Sequence, residues 1–190
     1  MLTLPLLRKM LNRAGTELKA NSKYLCELDS VAGDGDHGIT IGRMADVMKE
    51  KTEDTTIDTM RVLLDELGDA FMGINGGSAG PLWGTVFTGM AEGIDDQAEL
   101  TDLELRKMFT QAKEDFMDIS KAKPGDKTMV DALYPAIDAI IETQGNLKEI
   151  MTAAAAAADA GAEQTSTMVA RFGRAKNMGE RSIGTKDPGA

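Results

Sequence analysis

The sequence predicts an all-α protein, a barrel or bundle of about eight antiparallel helices, and three observations carry that expectation. Apolar residues recur at three- and four-residue spacing through most of the chain, the signature of helices with one buried face. No stretch alternates apolar and polar residues convincingly enough for a strand, so sheet content should be near zero. Thirteen methionines against 4% aromatic residues suit adaptable helical packing better than a pleated sheet.

The elements follow in order. Leu7, Met10, Leu11, Ala14 and Leu18 mark a first helix. Met44, Val47 and Met48 mark another after a glycine-rich loop. "TIDTMRVLLDELGDAFMGI" brings Met60, Leu63, Leu64, Leu67, Ala70 and Phe71 to one face and stops at Asn75-Gly76-Gly77. Thr101 and Glu104 have capping-box spacing ahead of an amphipathic run. "KTMVDALYPAIDAIIETQG" reads as a helix kinked near Pro135 and stopped by Gly145. A last long helix contains six consecutive alanines, 153–158, whose bare face lets a neighbour approach closely. Residues 29–38, residues 121–127 ("KAKPGDK") and the tail from 171 do not fit as helices. In so regular a chain, such segments are where function should sit.

Composition narrows the function. The 190 residues suffice for one domain, 1–190, with a sizeable core. A formal net charge of −10 argues against nucleic acid, whose phosphates need a basic surface, and suits metal cations and partners with basic patches. The single cysteine, Cys26, forms no internal disulfide and suggests a reducing compartment. The first fifteen residues have a short apolar part broken by Pro5, with basic residues after it, and read as a helix start and not as a signal peptide. No apolar run reaches about 18 residues, so nothing should span a membrane, and the expected location is cytoplasmic.

The stretch "LDSVAGDGDHGIT" sets Asp29, Asp34 and Asp36 among Gly33, Gly35 and Gly38. The glycines permit backbone angles that fold three carboxylates around one point, and hard oxygen donors select magnesium or calcium over zinc. An EF-hand fails, because Ala45 falls where its last glutamate belongs. No Walker phosphate loop is present, and no strand precedes these glycines as a Rossmann fingerprint requires. What remains is a phosphate site built through divalent cations. The plainer alternative is that the aspartates only cap the helix starting near Gly38. His37 could accept a phosphoryl group, ligate metal or bond within the loop; a supporting contact to phosphate or nucleotide fits best, since oxygen-rich magnesium sites seldom use histidine. Thr40 at the helix start can offer a hydroxyl and an amide to an anion.

"NGGSAGPLWG" puts Ser78 and Ala79 at a second glycine-rich helix start, where unpaired amides suit phosphate and where a simple tight turn is the competing explanation. The tail carries Arg171, Arg174, Lys176, Arg181 and Lys186, either a solvated end or, through arginine's two-pronged bonding, a phosphate contact. Met129 could wall an apolar slot for a base, or belong to the core.

Together "DSVAGDGDHG", "GGSAGPLWG", "KPGDKTMVDAL" and "GERSIGTKDPGA" resemble the L-type nucleotide-binding subunits of bacterial dihydroxyacetone kinases, in the right order and over essentially the whole chain. The resemblance implies an eight-helix antiparallel barrel with the nucleotide at one end. It implies that Asp29, Asp34 and Asp36 hold two magnesium ions bridging a diphosphate, and that His37, Gly38, Ile39 and Thr40 line the phosphates. Ser78 and Ala79 would touch them from the neighbouring helix start. Ser120, Met129 and Arg174 would surround base and ribose, and Asp187, Pro188 and Gly189 would close the site. With no substrate domain, the chain looks like the phosphotransferase-system version. There, non-exchanging ADP is phosphorylated by a phosphoryl-donor M subunit and passes the group to dihydroxyacetone held on a histidine of the K subunit. No general base is assigned within this chain. The alternatives are an L-type domain serving another small-molecule or fatty-acid kinase, or a nucleotide-state-dependent regulator of a transcription factor.

Overall fold

A computed structural model describes residues 1–190. It contains eight α-helices: α1 (Leu4–Ala20), α2 (Ser22–Ser30), α3 (His37–Glu53), α4 (Met60–Met72), α5 (Ala79–Glu92), α6 (Asp102–Ile119), α7 (Val130–Glu142) and α8 (Leu147–Gln164). Two short 3-10 segments follow, Thr165–Thr167 and Arg174–Ser182. The only sheet is an antiparallel pair of two-residue strands, β1 (Leu2–Thr3) and β2 (Glu99–Leu100). The all-α expectation holds, helix for helix where the apolar spacing was strong. No helix is long and apolar enough to cross a membrane.

The chain divides into two compact units, Met1–Ser22 with Ile39–Ser120, and Lys23–Gly38 with Lys121–Ala190. In the first unit, the expected apolar stripe of α4 is buried at Met60, Leu63, Leu64, Leu67 and Phe71, with Leu63, Leu64 and Leu67 wholly inside, while Ala70 is half-buried. Phe71 meets Phe87 of α5 edge to face, with ring centroids 5.1 Å apart, the arrangement that aligns the positive edge of one ring with the negative face of the other. Thr101 and Glu104 form the expected reciprocal capping box at the start of α6. Arg8 of α1 donates to the carbonyls of Thr52 (2.5 Å), Asp54 (2.7 Å) and Ile57 (2.6 Å), tying the end of α3 and the loop beyond it to α1.

In the second unit α7 packs along α8. Pro135 lies inside α7, which continues to Glu142. Because proline has no N–H, it cannot bond the carbonyl of Asp131 four residues earlier. Gly161 of α8 lies against that same carbonyl, so closely that a Cβ there would overlap it.

Two of the three irregular segments are shorter than expected. α2 runs to Ser30 and α3 begins at His37, which leaves only residues 31–36 outside helices, and Asp29 occupies the last turn of α2. The tail is not wholly irregular either: residues 174–182 wind into 3-10 turns broken at Gly179, whose φ of +56° no helix accommodates. Residues 121–127 are irregular, as expected.

Candidate functional site

In the second unit, the turn after α2 closes through the Gly33 amide, which donates to the carbonyl of Asp29 at 2.6 Å. Gly33 sits so close to the Asp29 carboxylate that any side chain there would collide with it, and Gly35 takes a φ of +75°. The Asp29 carboxylate then accepts the amides of Asp36 (3.1 Å) and His37 (3.4 Å), so it caps the start of α3. Capping accounts for one aspartate only. Asp34 and Asp36 are exposed, and an oxygen from each lies within 4.8 Å of the others and of an Asp29 oxygen. A six-coordinate magnesium or calcium ion with bonds of 2.0–2.6 Å sets its oxygens about 3–5 Å apart. The donor set is all hard oxygen and fits such a cation.

The one positive group at this cluster is the Arg174 guanidinium, which pairs with Asp34 and holds that carboxyl below its ordinary range; Asp34 raises Arg174 in return. Both side chains are more than half exposed or near it, so the pair is weak and easily exchanged for another cation. His37 is half-buried, and burial lowers its pKa against the pull of Asp29 and Asp36. It is therefore a neutral hydrogen-bonding group at pH 7, not a second positive charge.

The tail occupies the same unit. The Asp187 amide donates to Thr165 Oγ1 (2.9 Å), its carboxylate accepts the Ala190 amide (2.8 Å), and Gly189 lies beside Met129, which is buried at the first turn of α7. Burial pushes the Asp187 carboxyl up to about 6 from 3.8, partly offset by the terminal amides and Lys127. Between those two values the folded protein holds a proton that the unfolded chain has lost, so stability falls as pH rises through that window. Asp187→Asn should abolish this contribution. Urea unfolding of both proteins from pH 4 to pH 7 should show the wild type losing on the order of 2 kcal/mol relative to the variant, because each pH unit crossed within the window costs about 1.4 kcal/mol. Parallel curves would contradict the burial of Asp187.

In the first unit, Thr40 is buried in the first turns of α3, and its hydroxyl points to the Gly76 carbonyl at 3.5 Å. Arg43 donates to the Asn75 carbonyl at 2.8 Å. These contacts seat the 75–78 turn against α3. Ser78 is the N-cap residue of α5, yet its side chain makes no capping bond there. Ile39 is half exposed, and Ser120 ends α6 with its amide on the Phe116 carbonyl (2.9 Å). Of the residues singled out by sequence, Asp29, Asp34, Asp36, His37, Gly38, Met129, Arg174, Asp187, Pro188 and Gly189 lie in the second unit; Ile39, Thr40, Ser78, Ala79 and Ser120 lie in the first. His37 to Thr40 are consecutive in α3.

Two residues of this region escaped sequence reasoning. Asp131, 4% exposed, accepts the amides of Gly125 (2.5 Å) and Thr128 (2.8 Å) and thereby shapes the 121–127 loop. Lys127, also 4% exposed, reaches carbonyls of the tail and of the end of α8. Asp131 left a signal in the spacing of "TMVD", where a carboxylate three residues on can bond a helix-start amide; Lys127 left none.

The DAK2 domain, as a family, matches residues 31–190. The chain is 36% identical over 183 residues to the ADP-binding subunit DhaL of the PEP-dependent dihydroxyacetone kinase of Escherichia coli (strain K12), covering 95% of this chain and 87% of that protein. It is likewise 36% identical over 187 residues to the L-erythrulose kinase of Pectobacterium atrosepticum, covering 95% of this chain but 31% of that longer protein. The crystal structure of the dihydroxyacetone kinase from C. freundii in complex with AMP-PNP and Mg2+ superposes with a TM-score of 0.73 at 27% identity, over 97% of this chain and 31% of that chain.

Proposed function

Since the chain belongs to the DAK2 domain family, we propose that it is the ADP-binding subunit of a dihydroxyacetone kinase. It works with a dihydroxyacetone-binding K subunit and is recharged by a phosphoryl-donor M subunit of a phosphotransferase system. The observation that carries this reading is the convergence of Asp29, Asp34 and Asp36 with only Asp29 used as a cap. Likeness over nearly all of both chains to a PEP-dependent ADP-binding subunit supports the division of labour between subunits.

Asp29, Asp34 and Asp36 would hold two magnesium ions, and His37, Gly38, Ile39 and Thr40 the phosphates. Ser78 and Ala79 would add amides and a hydroxyl from the start of α5, and Ser120, Met129 and Arg174 would receive base and ribose. Bound ADP and magnesium supply the phosphoryl acceptor and the positive charge that in-line transfer requires. The protein's own work is positional. Asp29 fixes the α3 N-terminus by its two amide bonds, and the N-terminus of a helix favours an anion. His37, neutral, donates or accepts a hydrogen bond without competing for the carboxylates. Arg174, paired only weakly with Asp34, would offer its fork to phosphate or ribose oxygens where a divalent ion satisfied that carboxylate. Asp187, Pro188 and Gly189 close the site from the tail. The acidic exterior suits docking to basic patches on two successive partners.

One relative favours a second reading. An L-erythrulose kinase is as similar as the dihydroxyacetone kinase subunit, so the same module can serve a neighbouring ketose substrate chosen by its partner. Mixing the purified chain with K and M subunits and the PEP-driven phosphoryl carriers should give dihydroxyacetone phosphate from dihydroxyacetone. Product from erythrulose alone would assign the second reading, and no product from either would reject both.

A further inference from the structure

Lys127 ends the 121–127 loop with a φ of +59°, the left-handed region that residues with a Cβ enter at steric cost. Its side chain is buried, and its ammonium donates to three main-chain carbonyls: Thr165 at 2.8 Å, Ser182 at 2.7 Å and Thr185 at 2.5 Å. An ammonium has three N–H donors, and all three are satisfied by backbone. Thr165 ends α8, whereas Ser182 and Thr185 lie in the tail just before Asp187. The same stretch is stitched by the Gly184 amide to the Ser166 carbonyl (2.8 Å) and by the Ala170 amide to Ser182 Oγ (2.9 Å). Those are neutral bonds, and the Lys186–Glu163 ion pair that also joins this stretch to α8 is exposed; Lys127 contributes the charge-assisted bonds from the interior. A lysine held against its backbone preference, with its charge surrounded by carbonyl oxygens, acts as a tethered monovalent cation.

We propose that Lys127 is the positioning residue of the tail: its ammonium clips residues 182–187 to the end of α8 and so sets how slowly bound nucleotide leaves. This role rests on the function proposed above, in which Asp187, Pro188 and Gly189 close over ADP. Lys127 acts through the tail, since its three donors go to main-chain carbonyls of the tail and of the end of α8.

The test uses the full chain with magnesium and mant-ADP. Lys127→Gly suits the positive φ and opens the space of the side chain. Hydrogen exchange of the 183–190 peptide and release of mant-ADP should each become at least about tenfold faster, as expected when a local closure loses its charged bonds. Ethylammonium chloride should restore both toward wild type by seating its N–H groups among the three carbonyls. Tetramethylammonium at equal ionic strength, which has no N–H, should restore neither. Unchanged tail exchange overturns the proposal, and so does a loosened tail with unchanged release. A wild type that binds no mant-ADP removes the nucleotide reading and the role in release with it, while tail exchange still reports on the clip. If α4 amides lose protection in Lys127→Gly, Lys127→Met is read in its place. Global loss in both variants overturns the proposal by making Lys127 a residue of the whole fold.

Discussion

Alanine at Asp34 or Asp36 should strip ADP from the protein while leaving the empty fold as stable as before. The two carboxylates are exposed, and their contacts in the fold are weak surface ones: the pair of Asp34 with Arg174 and the hydrogen bonds of Asp34 to its own backbone and to Asp36. Removing one also relieves repulsion within a cluster whose oxygens lie within 4.8 Å. Apo stability should therefore hold or rise slightly. The loaded protein behaves in the opposite way. A ligand present at a thousand times its dissociation constant adds about 4 kcal/mol to the folded state, and that increment vanishes if the cation bridge is broken. Gel filtration followed by nucleotide assay, with melting curves with and without Mg-ADP, reads both halves. ADP retained by both variants at wild-type levels would refute the bridge. Asp29→Ala should differ from the other two by lowering apo stability as well, because its carboxylate also accepts the Asp36 and His37 amides at the start of α3.

Gly161→Ala should be among the most damaging single substitutions in the chain. Alanine is ordinarily the better helix residue by about 1 kcal/mol, so propensity alone predicts a gain. Sterics reverse it: the new methyl would overlap the Asp131 carbonyl of α7, and backbone cannot swing away as a side-chain end can. Overpacking of this kind costs about 3 kcal/mol. Ala156→Gly, at an exposed position of the same α8, is the matched control and should cost about 1 kcal/mol. Chemical denaturation should rank the variants in that order. Separation of α7 from α8 also moves the turn that carries Asp131 and Met129, so Gly161→Ala should lose ADP more readily than its stability alone explains.

What the sequence disclosed follows from how each feature is encoded. α1, α4 and α6 announce themselves because an apolar stripe or a capping pair is local and periodic, and α8 because its alanine run is a strong local helix former. α2 buries no residue at all, so it has no stripe to read. The 3-10 turns of the tail depend on i to i+3 bonds around Gly173 and Gly179, a pattern without a hydrophobic period. The acidic cluster was legible because its three carboxylates and their glycines are close in sequence as well as in space. Gly161 was half legible: the polyalanine run told of a close neighbour, but not that a carbonyl opposite Pro135 would be the point of contact. Lys127 was hidden because its partners are backbone carbonyls 38 to 58 residues away, and a carbonyl has no residue type.

Calorimetric titration of ADP into nucleotide-stripped protein, with magnesium and then with chelator, bears most directly on the carboxylates as a cation seat. With magnesium, ADP should bind tightly at one site; without it, three aspartates facing a diphosphate should repel the ligand and leave no measurable heat of binding. Equal affinity in both buffers would contradict the account, since the phosphates would then be held by protein groups alone.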